Sequence, residues 1–208
     1  NSKSIPIFEN NIKSPINPYG RTKLTVEEIL KDLSLKYSKD FKIIILRYFN
    51  PIGAHYSGLI GENLSFSSDN IFPNILKVAL KKKLFLKIFG NNWPTPDGTT
   101  IRDFIHIMDL AQGHISAIQF LKNYEPCFLT INLGSESETS ILKLVRTFEN
   151  ISQTKIQYKY FDRRPGDISV LLADCTLAKK ILNWKANRNL EDMCKDGWNF
   201  AKNNLNKL

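Results

Sequence analysis

Cysteine and histidine are scarce in this chain of 208 residues, with three of each. Cys127, Cys175 and Cys194 are odd in number and widely spaced, which argues against a disulfide framework, and no Cys-x-x-Cys pair offers a zinc site. They read as reduced thiols of a cytoplasmic protein. His55, His106 and His114 lack H-E-x-x-H spacing, so no metal centre is expected. The longest aliphatic run, Ile43–Leu46, falls far short of the roughly 20 apolar residues of a membrane span. No signal peptide is visible, and no membrane partner is expected. Phosphate-cradling glycine loops are absent too. Neither G-x-G-x-x-G nor G-x-x-x-x-G-K-[ST] occurs, and Gly53, Gly58 and Gly61 are not spaced as a dinucleotide fingerprint. The chain opens Asn-Ser-Lys without a methionine, so further sequence is expected upstream.

What the chain does contain is enough apolar material, 42% of residues, for a packed core. It carries a net charge of +9. Such a charge suits nucleic acid or phosphate-bearing ligands, but Lys, Asn and Ile together make up roughly a third of the residues, and many lysines fall on helical stretches as a solvated face. No stacking or recognition motif accompanies the run Lys81-Lys82-Lys83, so no nucleic-acid partner is expected.

Residues 1–16 read as loop. Asn17-Pro18 has the form of a helix start, with Asn as cap and Pro in the first turn, and a helical period runs to about Tyr37. Phe41–Tyr48 reads as a buried strand of a parallel sheet. Residues 53–69 form a long Gly- and Ser-rich loop, a length usually kept for function. A helix over Phe72–Lys82, a strand over Leu84–Phe89 and a turn-rich loop over Asn91–Thr100 follow. Then come helix Ile107–Leu121, strand Phe128–Leu133, helix Ser140–Ile151 capped by Ser137 or Thr139, strand Ile156–Phe161, and helices Thr176–Leu182 and Leu190–Asn203. Alternating helices and strands predict an α/β fold.

Tyr19 and Lys23 stand four residues apart in the first turns of the first helix, so both project from one face. A phenol ordinarily keeps its proton to about pH 10. A neighbouring ammonium and the positive end of a helix dipole both favour the phenolate, which suits such a pair to removing a proton from a sugar hydroxyl. Taken alone, a Tyr-x-x-x-Lys spacing is common by chance.

The context is specific. Asn17-Pro18-Tyr19-Gly20-Arg21-Thr22-Lys23 resembles the extended short-chain dehydrogenases/reductases. Arg47-Tyr48-Phe49-Asn50-Pro51-Ile52-Gly53-Ala54-His55, followed by Ser57-Gly58-x-x-Gly61-Glu62, resembles the UDP-glucose 4-epimerases among them. Phe89-Gly90-Asn91, Pro94-Thr95-Pro96-Asp97-Gly98-Thr99, Arg102-Asp103-Phe104-Ile105-His106-Ile107-Met108-Asp109, Arg163-Arg164-Pro165-Gly166-Asp167 and Leu182-Asn183-Trp184 continue the resemblance in order over nearly the whole chain.

The resemblance implies a partial Rossmann-type parallel sheet with a smaller α/β domain that binds a nucleotide sugar. Residues 1–56 would be the end of the NAD-binding domain. Residues 57–208 would be mainly the substrate domain, with some segments returning to the first. It implies NAD as cofactor, UDP-galactose and UDP-glucose as substrates, and a homodimer at full length. Tyr19 would act as acid and base, Lys23 would hold the nicotinamide ribose, and Tyr48 would pack at the nicotinamide. Asn50, at the carboxyl end of a strand, would face the nucleotide sugar, and Asn70 would contact UDP. Lys87, Ile88 and Phe89 would receive the uracil, Arg102 and Arg164 would clamp the diphosphate, and Asp167 would contact the ribose. Leu171 would set the room near the sugar's 2-position and, being bulky, would disfavour N-acetylated sugars. The family's NAD loop and catalytic serine would precede residue 1; Ser2 and Ser4 do not take the serine's role. On this reading the chain by itself is inactive. Two other readings remain: a related nucleotide-sugar dehydratase or reductase, and a non-catalytic UDP-sugar-binding module.

Overall fold

A computed structural model describes residues 5–64 and 69–204. Ser2, Ser4 and residues 65–68 of the expected long loop lie outside the described residues. Helix α1 (Pro18–Lys36) starts as its sequence demands. The Asn17 side chain accepts a hydrogen bond from Gly20 N at 2.7 Å, and Pro18 occupies the first turn. The cap satisfies one of the amide groups that a helix start leaves bare.

Strand β1 (Lys42–Tyr48) pairs in parallel with β5 (Cys127–Leu133), from Lys42 opposite Cys127 to Tyr48 opposite Leu133. The expectation that β1 is buried is corrected: none of its residues, and none of α1, is buried. Among the described residues its sheet has only two strands, so its second edge meets no partner strand. A bidentate ion pair holds α1 onto β1, with Arg47 Nε and Nη2 donating to Glu27 at 2.7 and 2.6 Å. Burial of Glu27 works against its charge, but the bonds from Arg47 and Lys13 outweigh it and hold the carboxyl below its usual range.

The second sheet is built on a strand that periodicity alone did not reveal. Strand β4 (Ile101–His106) is buried in every residue but Arg102, which is half-buried. Its Arg102, Asp103 and His106 break the apolar alternation by which strands are read. It lies between β2 (Asn50–Ile52), parallel to it, and β6 (Glu138–Ser140), antiparallel, while β8 (Val170–Leu171) pairs with its first two residues. Pro51 is tolerated because β2 is an edge strand. A third, two-stranded sheet pairs β3 (Leu86–Phe89) in parallel with β7 (Tyr158–Phe161).

Helices α2 (Ile71–Ala79), α3 (Ile107–Asn123), α4 (Ile141–Ser152), α5 (Thr176–Leu182) and α6 (Leu190–Asn203) stand within a few residues of their expected bounds. The cap of α4 is corrected to Ser140, whose Oγ accepts from Lys143 N at 3.0 Å. Thr139 is instead a buried member of β6, opposite Arg102.

Two apolar clusters organise these elements. One gathers α2, β3, α4 and α6 around Phe148, whose ring meets Phe72 and Trp198 edge-on. The other gathers α3, β5 and α5 around Ile131, Leu133 and Trp184. Strand β4 serves both: Phe104 packs in the first and Ile105 in the second, because successive side chains point to opposite faces.

Candidate functional site

Tyr19 lies in the first turn of α1 and is 71% exposed. Lys23 follows one helical turn later, with its Nζ 5.3 Å from the centre of the Tyr19 ring. The pair therefore shares a face, as the spacing requires. Tyr48, at the carboxyl end of β1, is 51% exposed, and its ring stands 6.0 Å from that of His114. The chain then runs through Phe49 to Asn50, so the Tyr48 and Asn50 α-carbons are within about 7 Å.

Asn50 opens onto a cavity of about 490 Å³ between β3, β4, α2 and the turn 164–167, a size suited to a small-molecule ligand. Eight of the nine residues that the motifs single out for the nucleotide sugar line it: Asn50, Asn70, Lys87, Ile88, Phe89, Arg102, Arg164 and Asp167. Leu171 is not among the lining residues. It is half-buried on β8, opposite Arg102. Tyr19, Lys23 and Tyr48 stand outside the cavity. Among the lining residues not singled out from the motifs are Lys77, Lys82 and Lys83 on the α2–β3 side, together with Phe104 and Ile141. The Lys81–Lys83 run was visible in sequence, but its direction toward a cavity was not.

The electrostatics of the cavity centre on two arginines. Arg102 donates through Nη1 to the carbonyls of Ile101 and Ile168, both at 2.9 Å, which fixes its guanidinium. Its Nη2 is 3.7 Å from Asp167 Oδ1, while Arg164 Nε donates to Asp167 Oδ2 at 3.2 Å. Burial lowers the Arg102 pKa and Arg164 adds to this, while Asp167 opposes it. A second anion brought between the two guanidinium groups would relieve their repulsion. The Arg164–Asp167 turn needs Gly166, which has φ of 86°. At the floor, Asn50 Oδ1 is buried and meets no hydrogen-bond donor among the described residues. Such an orphan acceptor costs stability unless a ligand or water supplies the donor.

Behind Asn50 the frame is tied by His106, which is fully buried. Its Nδ1 accepts from Met108 N at 3.0 Å and so caps α3. The ring proton therefore sits on Nε2, 3.2 Å from Asp196 Oδ2 on α6. Burial lowers the His106 pKa, against the pull of Asp196. The imidazole is neutral in the fold, so its stabilising effect is full above the unfolded value of about 6.5 and is lost as pH falls through the lower folded value. The urea midpoint is expected to fall as pH drops below about 6.5. His106→Asn should flatten that drop, and an unchanged slope in the variant would show that His106 does not cause it.

Comparison with known proteins places this architecture. A family model described as GDP-mannose 4,6 dehydratase matches residues 1–197. The chain belongs to that family. Within the family its relatives are UDP-glucose 4-epimerases, as its motifs imply. UDP-glucose 4-epimerase 2 of Arabidopsis thaliana is 45% identical over 97% of the chain, and the Bacillus subtilis enzyme 43% identical over 97%. The match spans 57% and 59% of those relatives' lengths, so this family member corresponds to a part of them. Its fold superposes on the UDP-glucose 4-epimerase of Stenotrophomonas maltophila, solved with NAD and formylated UDP-arabinopyranose, with a TM-score of 0.96 at 40% identity. All of the chain and 61% of that structure are covered. The Bifidobacterium longum enzyme, solved with NAD+ and UDP, gives 0.93 at 37% identity with the same coverage. The fold is thus mixed α/β with parallel sheets, of the Rossmann-like type. Among the described residues no helix is long and apolar enough to cross a membrane, and no group of His, Cys, Asp and Glu could hold a metal ion.

Proposed function

We propose that this chain is the carboxyl-terminal part of a UDP-glucose 4-epimerase that interconverts UDP-galactose and UDP-glucose. The observation that carries the reading is one cavity to which β2, the cap of α2, β3, β4 and the 164–167 turn each bring residues assigned by the epimerase resemblance. Arg102 and Arg164 hold the diphosphate, Asp167 the ribose, and the strand Lys87–Phe89 with its aromatic ring the uracil. Asn50 and Asn70 complete the UDP contacts, and the orphan Asn50 oxygen gains a donor there. Tyr19 takes the proton from the sugar's 4-hydroxyl onto its phenolic oxygen and returns it to the other epimer. Lys23 steadies that charge. The 4-keto sugar turns over between the two proton transfers while the arginines keep the diphosphate fixed.

The residues present fit only the nicotinamide end of a dinucleotide. Tyr19, Lys23 and Tyr48 are each exposed, and the chain contains no glycine fingerprint for the pyrophosphate. NAD, when bound, supplies the acceptor and donor of the sugar's hydride. The domain division follows the same line. The cluster around Ile131 belongs with the NAD-binding side, including the returning segments, and the cluster around Phe148 with the sugar side. The complete protein is a cytoplasmic homodimer on this reading.

Calorimetric titration with UDP tests the cavity: the complete protein binds UDP, and Arg102→Met weakens it by about 100-fold. Absence of binding by the unaltered protein would sink the reading. Because the family model carries a dehydratase description, the product of UDP-galactose turnover decides the second possibility; a dehydrated keto sugar in place of UDP-glucose would overturn epimerisation. The 208-residue chain alone with added NAD is expected to show no turnover, and measurable epimerisation by it would refute that. Leu171→Ala is expected to improve kcat/KM for UDP-N-acetylgalactosamine relative to UDP-galactose by about tenfold, the usual worth of pocket room. An unchanged ratio would remove Leu171 as the size-setting residue.

A further inference from the structure

The exposed face of the β3–β7 sheet carries a pattern that extends beyond the residues assigned to the sugar nucleotide. In its register Lys87 stands beside Lys159 and Phe89 beside Phe161, so these side chains share one face, with Phe85 just ahead of Lys87. Their rings form a line: Phe85 to Phe161 at 6.3 Å and nearly parallel, then Phe161 to Phe89 at 6.1 Å. Each ring is matched by a cation. Lys159 Nζ lies 4.6 Å from the Phe85 ring, Lys87 Nζ 5.1 Å from Phe161, and the Arg164 guanidinium 4.5 Å from Phe89. Nearby, Trp93, whose Nε1 donates to the Phe89 carbonyl, lies under the Arg163 guanidinium at 4.1 Å. Four cation–aromatic pairs on one short stripe are several times the ordinary density of one per 70–80 residues.

Most of this surface faces solvent. Lys87, Lys159, Phe161 and both arginines are exposed, and Phe85, Phe89 and Trp93 half-exposed. A run of aromatic rings with cations between them is the chemistry of single-stranded nucleic-acid grooves, where bases stack on the rings and phosphates meet the cations. The charge balance agrees. Asp162 is the one acidic residue from Lys155 to Arg164, against four basic ones, and the whole chain carries +9. The stripe also runs into the cavity, whose wall includes Lys87, Phe89 and Arg164.

We propose that this stripe binds single-stranded RNA, with bases on Phe161 and Phe85 and phosphates on Lys87, Lys159 and Arg163. The choice of RNA rests on the proposed ribonucleotide cavity into which the stripe leads; the stripe itself does not. The sequence could not signal this surface. Phe85 and Lys87 are separated from Lys159 and Phe161 by some 70 positions, and only the parallel pairing of β3 with β7 interleaves them.

The test is fluorescence anisotropy of a labelled oligouridylate titrated with the complete protein, between about 50 and 200 mM salt. Binding is expected to weaken with a log–log slope of about −2, for the three phosphate contacts. Phe161→Leu, which keeps the apolar bulk and removes the stacking ring, should weaken binding about fivefold or more, and Lys159→Gln similarly. Lys195→Gln, on the remote helix α6, should leave it unchanged. UDP titration of the same variants reads the cavity separately, so failure to bind RNA beside intact UDP binding overturns this proposal alone. It is equally overturned if Phe161→Leu has no effect, if duplex RNA binds as well, or if oligodeoxythymidylate matches oligouridylate.

Discussion

On the proposed function, Tyr19→Phe in the complete protein is expected to lower turnover of UDP-galactose by about 10³-fold while UDP affinity stays within twofold, the span expected when one general acid–base group is removed. The size of the effect follows from what Tyr19 does and does not touch. It lies in a helix with no buried residue and is 71% exposed, so loss of its hydroxyl disturbs no packing. It lies outside the cavity that gathers the UDP-binding candidates, so binding is spared. What disappears is the phenolic oxygen that, on the proposed function, accepts the sugar's proton, on a ring whose centre is 5.3 Å from Lys23 Nζ. Steady-state kinetics with calorimetry for UDP separates the two readouts. Turnover within tenfold of the unaltered enzyme would remove Tyr19 from the chemistry, and a parallel loss of UDP affinity would make it a binding residue instead. Lys23→Met should also reduce turnover, since it removes the cation that stands over the Tyr19 ring.

The second large effect is on stability. Asp103→Ala is expected to cost about 3 kcal/mol or more, because it strands several buried donors at once. Asp103 is fully buried in β4. Its Oδ1 accepts from Ser135 N at 2.7 Å and Ser135 Oγ at 2.9 Å, and its Oδ2 from Glu136 N and Ala173 N, both at 3.1 Å. One carboxylate thus joins β4 to the turn after β5 and to the strand end after β8. Glycine is needed beside it: a Cβ at Gly134 would lie 2.6 Å from both Asp103 Oδ2 and the Ala173 Cβ. For a chain of this size, about 3 kcal/mol lowers the melting temperature by roughly 6–12 °C. Asp103→Asn, which keeps the volume but turns an amide toward backbone N–H groups, should lose nearly as much. Differential scanning calorimetry of both variants measures this, and a loss under about 1 kcal/mol in Asp103→Ala would show that the hub is dispensable. Since Arg102 is the next residue along β4, UDP binding should fall with it.

Much of this molecule could be read without coordinates, and the limits have identifiable causes. Helix α1 was legible because its start signal is local: Asn17 and Pro18 act within one turn. Strand β1 was legible as a strand from Ile43–Leu46. Its burial was not, since burial depends on which neighbours cover it. Strand β4 escaped because three of its six residues carry polar work — a fixed guanidinium, a hydrogen-bond hub and a helix cap — in place of alternating apolar side chains. The cap of α4 was misplaced by one to three positions for a similar reason: Ser137, Thr139 and Ser140 are all suitable cap types, and the pairing of Thr139 with Arg102 in β6 decides among them.

Sequence by itself determined the family, the α/β class and the candidate residues, since each rests on residue types at fixed short spacings: Tyr19 with Lys23, Arg164 with Asp167, Asn50 after Tyr48. Tertiary structure alone decided which of these meet. It brought β2, α2, β3, β4 and the 164–167 turn to one cavity, left Leu171 off its lining and Tyr19 outside it, tied His106 to Asp196 across 90 positions, and interleaved Lys159 and Phe161 with Phe85 and Lys87. Spacing along a chain constrains only near neighbours, through backbone geometry. Contacts between distant segments are set by which buried faces pack together, and no single segment contains that information.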